Sequence, residues 1–183
     1  MADLWPNDIG ITTQKAPLSI LQEQASILGA KTKNLVGAEV QVGDSTRLRL
    51  LDLNKKIEKI DATLFEATKT GEEMASILNG KDAIAKDYSQ LFVYDFYITA
   101  PVLNQYRFRI FTVAYDFKLY PVRFYLDKDI QDQIQTEMGS VWGRQGISAN
   151  SEEELLGLLM QIFSSNKVRQ IINALLVQSG GTN

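Results

Sequence analysis

The residues whose types could do chemistry fall into two sets, one of carboxylates and one of arginines and aromatics. Asp95, Asp116 and Asp127 lie along one aromatic stretch, and Glu39 lies in an earlier alternating segment. Carboxylates that converge within a few ångströms can hold magnesium, and two such ions make a hydrolytic centre. Few other chemistries remain, because the 183 residues include no histidine and no cysteine. That removes Ser-His-Asp and Cys-His nucleophilic machinery, thiolate zinc sites and iron–sulfur ligation. Lysine or tyrosine acid–base chemistry stays open. The chain holds no GxxxxGK[ST] phosphate loop, no GxGxxG after a strand and no nuclease-type PD…(D/E)xK spacing. The reading is of a non-catalytic protein with no metal and no cofactor, magnesium-dependent hydrolysis being the least favoured alternative.

The second set is Tyr97, Arg107, Arg109, Arg123 and Tyr125, with Trp142 alone in a loop between Gly139, Gly143 and Gly146. Guanidinium and aromatic groups on an open sheet can anchor a protein partner or stack unpaired bases. They can also simply line a solvated face, with their stems covering apolar surface. Trp142 reads either as a partner anchor or as a plug at one end of the core. Over residues 91–127 four basic side chains meet three acidic ones, a net charge of +1. A phosphate backbone usually requires a broader basic patch. The whole chain carries −3 with a pI near 5.1, so bulk attraction to nucleic acid or anionic membrane is absent. A protein partner is the preferred expectation, and single-stranded nucleic acid the alternative.

Most of this second set must be held by the stretch from Leu91 to Leu126. All seven tyrosines fall at 88–125 and six of eight phenylalanines at 92–124. Alternation predicts a three-stranded antiparallel meander. Its apolar face would carry Phe92, Tyr94, Phe96 and Ile98, then Tyr106, Phe108 and Ile110, then Tyr120, Val122, Phe124 and Leu126. The opposite face would carry Asp95, Tyr97 and Thr99, then Arg107, Arg109 and Phe111, then Arg123 and Tyr125. Turns at 100–103 and 116–118 set Asp95 opposite Arg109 and Tyr97 opposite Arg107. They also set Arg109 opposite Tyr125 and Phe111 opposite Arg123. A β-bulge would shift this register by one.

Around the meander the periodicity predicts helices. Pro17 can open a helix to about Lys33, with Leu18, Leu21, Ala25 and Leu28 on one side. Residues 35–42 alternate as a fourth strand, closed by a Gly43-Asp44 turn. From 45 to 70, Leu50, Leu53, Ile57, Ile60, Leu64 and Ala67 form a helical seam. That seam packs on the sheet or, as a coiled-coil arm, pairs two copies through 50–67. Residues 46–53 could instead be a strand paired with 35–42. A short helix follows to Leu78, then a loop from 80 to 90. A helical turn at 129–137 precedes a Gly/Ser/Asn-rich loop to 150. Ser151-Glu-Glu-Glu154 is a capping box, and Ser164-Ser165 offers a cap for a second helix, giving a C-terminal hairpin over 151–178.

The expected architecture is a single α+β domain: an antiparallel meander of three to five strands with helices packed on one face. Residues 1–15 read as an extended lead-in. No signal peptide or run of 18 apolar residues is seen, so a cytoplasmic, non-membrane protein is expected.

Overall fold

Strand alternation and helix caps account for most of the architecture. The computed structural model describes residue 5 and residues 14–52, 90–138 and 147–180. Five strands form one antiparallel sheet in the order β1 (Gly37–Val42), β2 (Phe92–Ala100), β3 (Tyr106–Tyr115), β4 (Val122–Leu126) and β5 (Ile147–Ala149). The meander is as expected, and residues 37–42 join it as the strand beside β2. β5 was not anticipated: 147–149 read as loop, yet Ile147 and Ala149 pair with Phe124 and Val122 and are buried. Three residues are too few for alternation to announce a strand.

Helix α1 (Pro17–Lys31) starts on its proline, whose fixed φ suits the first turn, and buries Ile20, Leu21 and Ala25. It ends where Thr32 turns its hydroxyl back to the Leu28 carbonyl at 3.0 Å and Lys33 and Asn34 adopt left-handed φ angles of 53° and 62°. Helix α3 (Lys128–Met138) follows β4 directly. Asp127 caps it by accepting from the Asp129 N–H at 3.1 Å, and Ile130 and Ile134 face the core. The expected turn is thus a full three-turn helix.

The capping box holds. Ser151 accepts from the Glu154 N–H at 3.2 Å, while the Glu154 carboxylate reaches back to the Asn150 N–H at 2.8 Å. It opens α4 (Glu152–Ser164), which buries Leu155, Leu158, Leu159 and Ile162. Ser165 then ends α4 and caps α5 (Asn166–Gln178).

These helices and one sheet face enclose the main core. Phe96 and Phe111 stack at 5.0 Å between ring centres, and Phe124 and Phe163 close on them at 5.3 Å. Residues 45–52 form a further helix, α2, and not a strand paired with β1. Asp44 starts it by accepting from the Thr46 N–H at 2.8 Å. It lies on the other sheet face, where Leu48 is buried with Val93 and Ala114, and Leu51 and Tyr125 pack beside them. Leu50, first residue of the expected seam, is exposed. The rest of that seam, the 70–78 helix and nearly all of the 80–90 loop lie outside the described residues.

Candidate functional site

Two strands with an irregular register decide what the second sheet face displays. From Phe92 to Phe96 the partners on β3 run from Tyr115 to Phe111, but Tyr97 then pairs with Arg109, so Ile110 is an extra residue. This bulge turns the faces of β3 over by one position. Phe111 therefore points into the core, fully buried, and not onto the open face beside Arg123. The expected pairs of Asp95 with Arg109 and Tyr97 with Arg107 give way to Asp95 with Thr112, Tyr97 with Arg109 and Thr99 with Arg107. The β3–β4 register is also corrected, because pairing starts at Phe111 with Leu126. Tyr125 faces Thr112, and Arg123 faces Ala114.

The second face thus has two halves. Where β3 runs beside β4, α2 covers it: Leu48 and Leu51 close over Val93, Ala114 and Tyr125, and the Tyr125 hydroxyl donates to Asp52 Oδ1 at 3.3 Å. Tyr125 is therefore held by the protein itself. Arg123 sits in the neighbouring row, opposite Ala114 and Ser148. Where β3 runs beyond β4, the face carries Glu39, Tyr97 and Arg109 in one row and Gly37, Thr99 and Arg107 in the next. Three of the six expected site residues, Tyr97, Arg107 and Arg109, are brought together there. Arg123 and Tyr125 belong to the other half, and Trp142 lies outside the described residues.

Tyr97 organises the open half. The Arg107 guanidinium lies over its ring at 4.0 Å, and its hydroxyl donates to Asp95 Oδ2 at 3.3 Å. Burial holds the Tyr97 hydroxyl above its ordinary pKa of 10.0. The Asp95 charge and hydrogen bond add to that effect, while Arg107 and Arg47 oppose it. The phenol therefore stays a neutral donor across the physiological range. Asp95 is buried and accepts a second hydrogen bond from the Thr112 hydroxyl. Its carboxylate is spent on two hydroxyls, which is how a buried acid avoids its desolvation cost.

Thr112 and Arg47 were missed in the sequence. Thr112 looked like a neutral strand residue until the bulge aligned it with Asp95, and Arg47 needed α2 to bring it near. Of the other expected acids, Glu39 is exposed on the open face, and Asp116 and Asp127 are spent on structure. Asp116 accepts from the Lys118 N–H at 2.8 Å in the β3–β4 turn, and Asp127 caps α3. Among the described residues no three acids are grouped as a metal site. The ion pairs there, Lys15–Glu23 and Lys167–Asp129, involve neither Arg107 nor Arg109. Among the described residues no helix is long and apolar enough to cross a membrane.

Gly43 is where the chain leaves the sheet edge for the second face. Its N–H donates to the Val93 carbonyl at 2.9 Å, extending the ladder by one bond. A Cβ at this position would lie 2.8 Å from Val93 Cγ1 and 3.5 Å from Asp95 Oδ2. Val93 is β-branched and buried, so it has little freedom to yield. Gly43→Ala is expected to cost about 1–3 kcal/mol, as overpacking does. Thermal melting should show a fall of roughly 3–8 °C, and an unchanged midpoint would mean that Gly43 does not lie this close to Val93.

Comparison with known proteins adds no relative: no family model, curated protein or solved structure matches the chain.

Proposed function

We propose that the chain is a non-catalytic interaction module that holds a protein partner on the open half of its second sheet face. The observation that carries this reading is the Arg107 guanidinium set on the Tyr97 ring at 4.0 Å. Arg109 stands directly across from that ring, with neither arginine in an ion pair among the described residues. A tyrosine fixed by its hydroxyl and an arginine pre-set on its ring give a partner rigid contact area at small entropic cost. Tyr and Arg are among the side chains that carry most binding energy in protein interfaces. An exposed cation–π contact is worth about 0.5–1 kcal/mol by itself, so it orients the guanidinium more than it stabilises the fold. Three of the four carboxylates that could have served catalysis, Asp95, Asp116 and Asp127, are engaged in the Tyr97–Asp95–Thr112 network, a turn and a cap, which supports a binding role over a hydrolytic one. A cytoplasmic setting fits this reading, and pairing of two copies through 50–67 is a further arrangement compatible with it.

The test is the double charge reversal Arg107→Glu/Arg109→Glu, used as bait beside the wild-type chain in extracts of the native cell. Binding to the physiological partner is expected to fall at least tenfold. Arg107 is exposed and Arg109 half-buried, so the cost in stability should be about 1 kcal/mol at most and the melting midpoint should fall by no more than about 4 °C. Retention of every partner at wild-type affinity would place the interface elsewhere. Salt separates the partner classes. A phosphate backbone held by six or more contacts loses about a thousandfold or more between 50 and 200 mM salt, whereas a protein partner should lose far less.

A further inference from the structure

The other end of the sheet carries a different feature. β1 is an end strand of the sheet, six residues long and paired with β2 in an unbroken register from Gly37–Thr99 to Val42–Tyr94. Among the described residues nothing pairs with its far edge, so a row of backbone N–H and C=O groups is left open there. Proteins usually blunt such edges with lysine, proline, a bulge or extreme shortness. The far end strand, β5, has only three residues, and the stretch of β3 that runs beyond β4 carries Arg107 and Arg109. β1 (GAEVQV) has a single charge, Glu39, and no lysine, proline or bulge.

Beside this edge the sheet and α1 part to leave a shallow groove of about 430 Å³. Its helix side is Gln22, Ala25, Ser26 and Gly29, and its strand side is Gly37, Ala38 and Val40, with Asn34 from the turn that joins them. Apart from Gln22 and Asn34 these are small or β-branched, and Val42 at the strand end is 84% exposed. Side chains of one strand alternate between faces, so a strand added to β1 would send every second residue into this groove.

We infer that β1 and α1 form a strand-addition groove that takes an extended segment of a partner protein, with a bulky apolar side chain lodged against Ala25, Ser26 and Gly29. The open backbone edge specifies an extended strand, because only a strand matches its spacing of donors and acceptors. The small-residue walls specify a large side chain. A second copy of this chain does not fit that requirement, since its own β1 would offer Ala38, Val40 and Val42 at the matching positions, none of them bulky. Glu39, on the opposite face of β1, favours a lysine or arginine across from it. Glu39 apart, which shares a row with Tyr97 and Arg109, this surface is separate from the Arg107/Tyr97 half-face, and the groove does not depend on it.

The full chain would be used to select from a phage-displayed library of random linear peptides, and an enriched peptide synthesised with a fluorophore for polarisation titration. The expected family shares one bulky apolar residue flanked by β-forming residues. Methylating alternate backbone nitrogens of that peptide should weaken binding at least tenfold, whereas methylating the intervening ones should not. Ser26→Trp, which fills the groove from an exposed helical position, should also weaken binding at least tenfold with an unchanged melting midpoint. If that variant does not fold, amide exchange of residues 37–42 in the wild type replaces it and should slow when the peptide is added. Arg107→Glu/Arg109→Glu should bind the peptide like the wild type. The inference is overturned if no family emerges, if methylation is tolerated at every nitrogen, or if Ser26→Trp binds normally. Unchanged exchange at 37–42 also overturns it, as does a wild-type dimer that Ser26→Trp dissolves, which would make a second copy the occupant.

Discussion

Phe111→Ala is expected to lower the melting midpoint by roughly 10–15 °C. Phe111 is fully buried, stacks on Phe96 at 5.0 Å, and lies 5.3 Å from Phe124 and 6.2 Å from Phe163. Its removal leaves a void among three rings supplied by β2, β4 and α4, elements with little freedom to collapse together. Truncating a buried phenylalanine costs about 3–5 kcal/mol, and a chain of this size loses about 2–4 °C per kcal/mol. The same substitution tests the bulge at Ile110. In an unbulged strand Phe111 would lie on the open face, and its truncation would change stability by less than about 0.5 kcal/mol. Arg109→Ala is the natural companion, because Arg109 is only half-buried on the open face and its truncation should cost far less than that of Phe111. Small losses at both positions would put Arg109 and Phe111 on one open face, as an unbulged strand does.

Alkaline unfolding should be governed in large part by Tyr115. Burial pushes its phenol from 10.0 up to about 12, with the neighbouring Tyr94 adding to the effect and a Leu18 backbone hydrogen bond opposing it. The folded state therefore keeps a proton that the unfolded chain releases near pH 10. Its contribution is present in full below pH 10 and is lost as pH rises from 10 through about 12. A hundredfold difference in proton affinity corresponds to roughly 2–3 kcal/mol. Tyr97 and Tyr120 are shifted in the same direction, mainly by burial, and steepen the decline. In Tyr115→Phe the ring contacts to Phe92 at 5.6 Å and Tyr94 at 6.0 Å are retained. At pH 8 this variant should melt slightly below the wild type, for the lost hydrogen bond of about 1 kcal/mol. By pH 12 the order should reverse, the wild type having lost roughly 5–10 °C more. Parallel melting curves for the two proteins from pH 8 to 12 would remove Tyr115 from the account.

The fold was legible where a local signal and a long period agreed. Pro17 opened α1, Ser151 and Glu154 opened α4, and the aromatic alternation of 92–126 gave the meander. Each follows from neighbours within four residues or from a repeat sustained over a strand. The candidate site was less legible, because it depends on register. Ile110 carries no mark of a bulge, being as apolar as the residues around it, yet it moves Phe111 into the core and puts Thr112 on Asp95. Helix α2 was legible as a helix but not as a cover for Tyr125, since nothing local tells Leu48 and Leu51 which sheet face to seek. Tyr97, Arg107 and Arg109 survived as a group because all three lie on the turn side of the bulge, where the alternation is intact.

At Ser165 the connection between α4 and α5 is a single buried residue, whose N–H donates to the Ile162 carbonyl at 3.1 Å and whose hydroxyl accepts from the Val168 N–H at 3.4 Å. One residue thus carries the last bond of one helix and the first of the next, and no slack separates them. The same corner is tied to α3, where Asn166 donates to Gln133 at 2.9 Å and Lys167 pairs with Asp129 at 2.8 Å. Because both caps rest on Ser165, removing its hydroxyl and its N–H together, as Ser165→Pro would, takes the last bond of one helix and the first of the next in a single step. The two helices therefore share one joint, and their stability at that corner is common property of both.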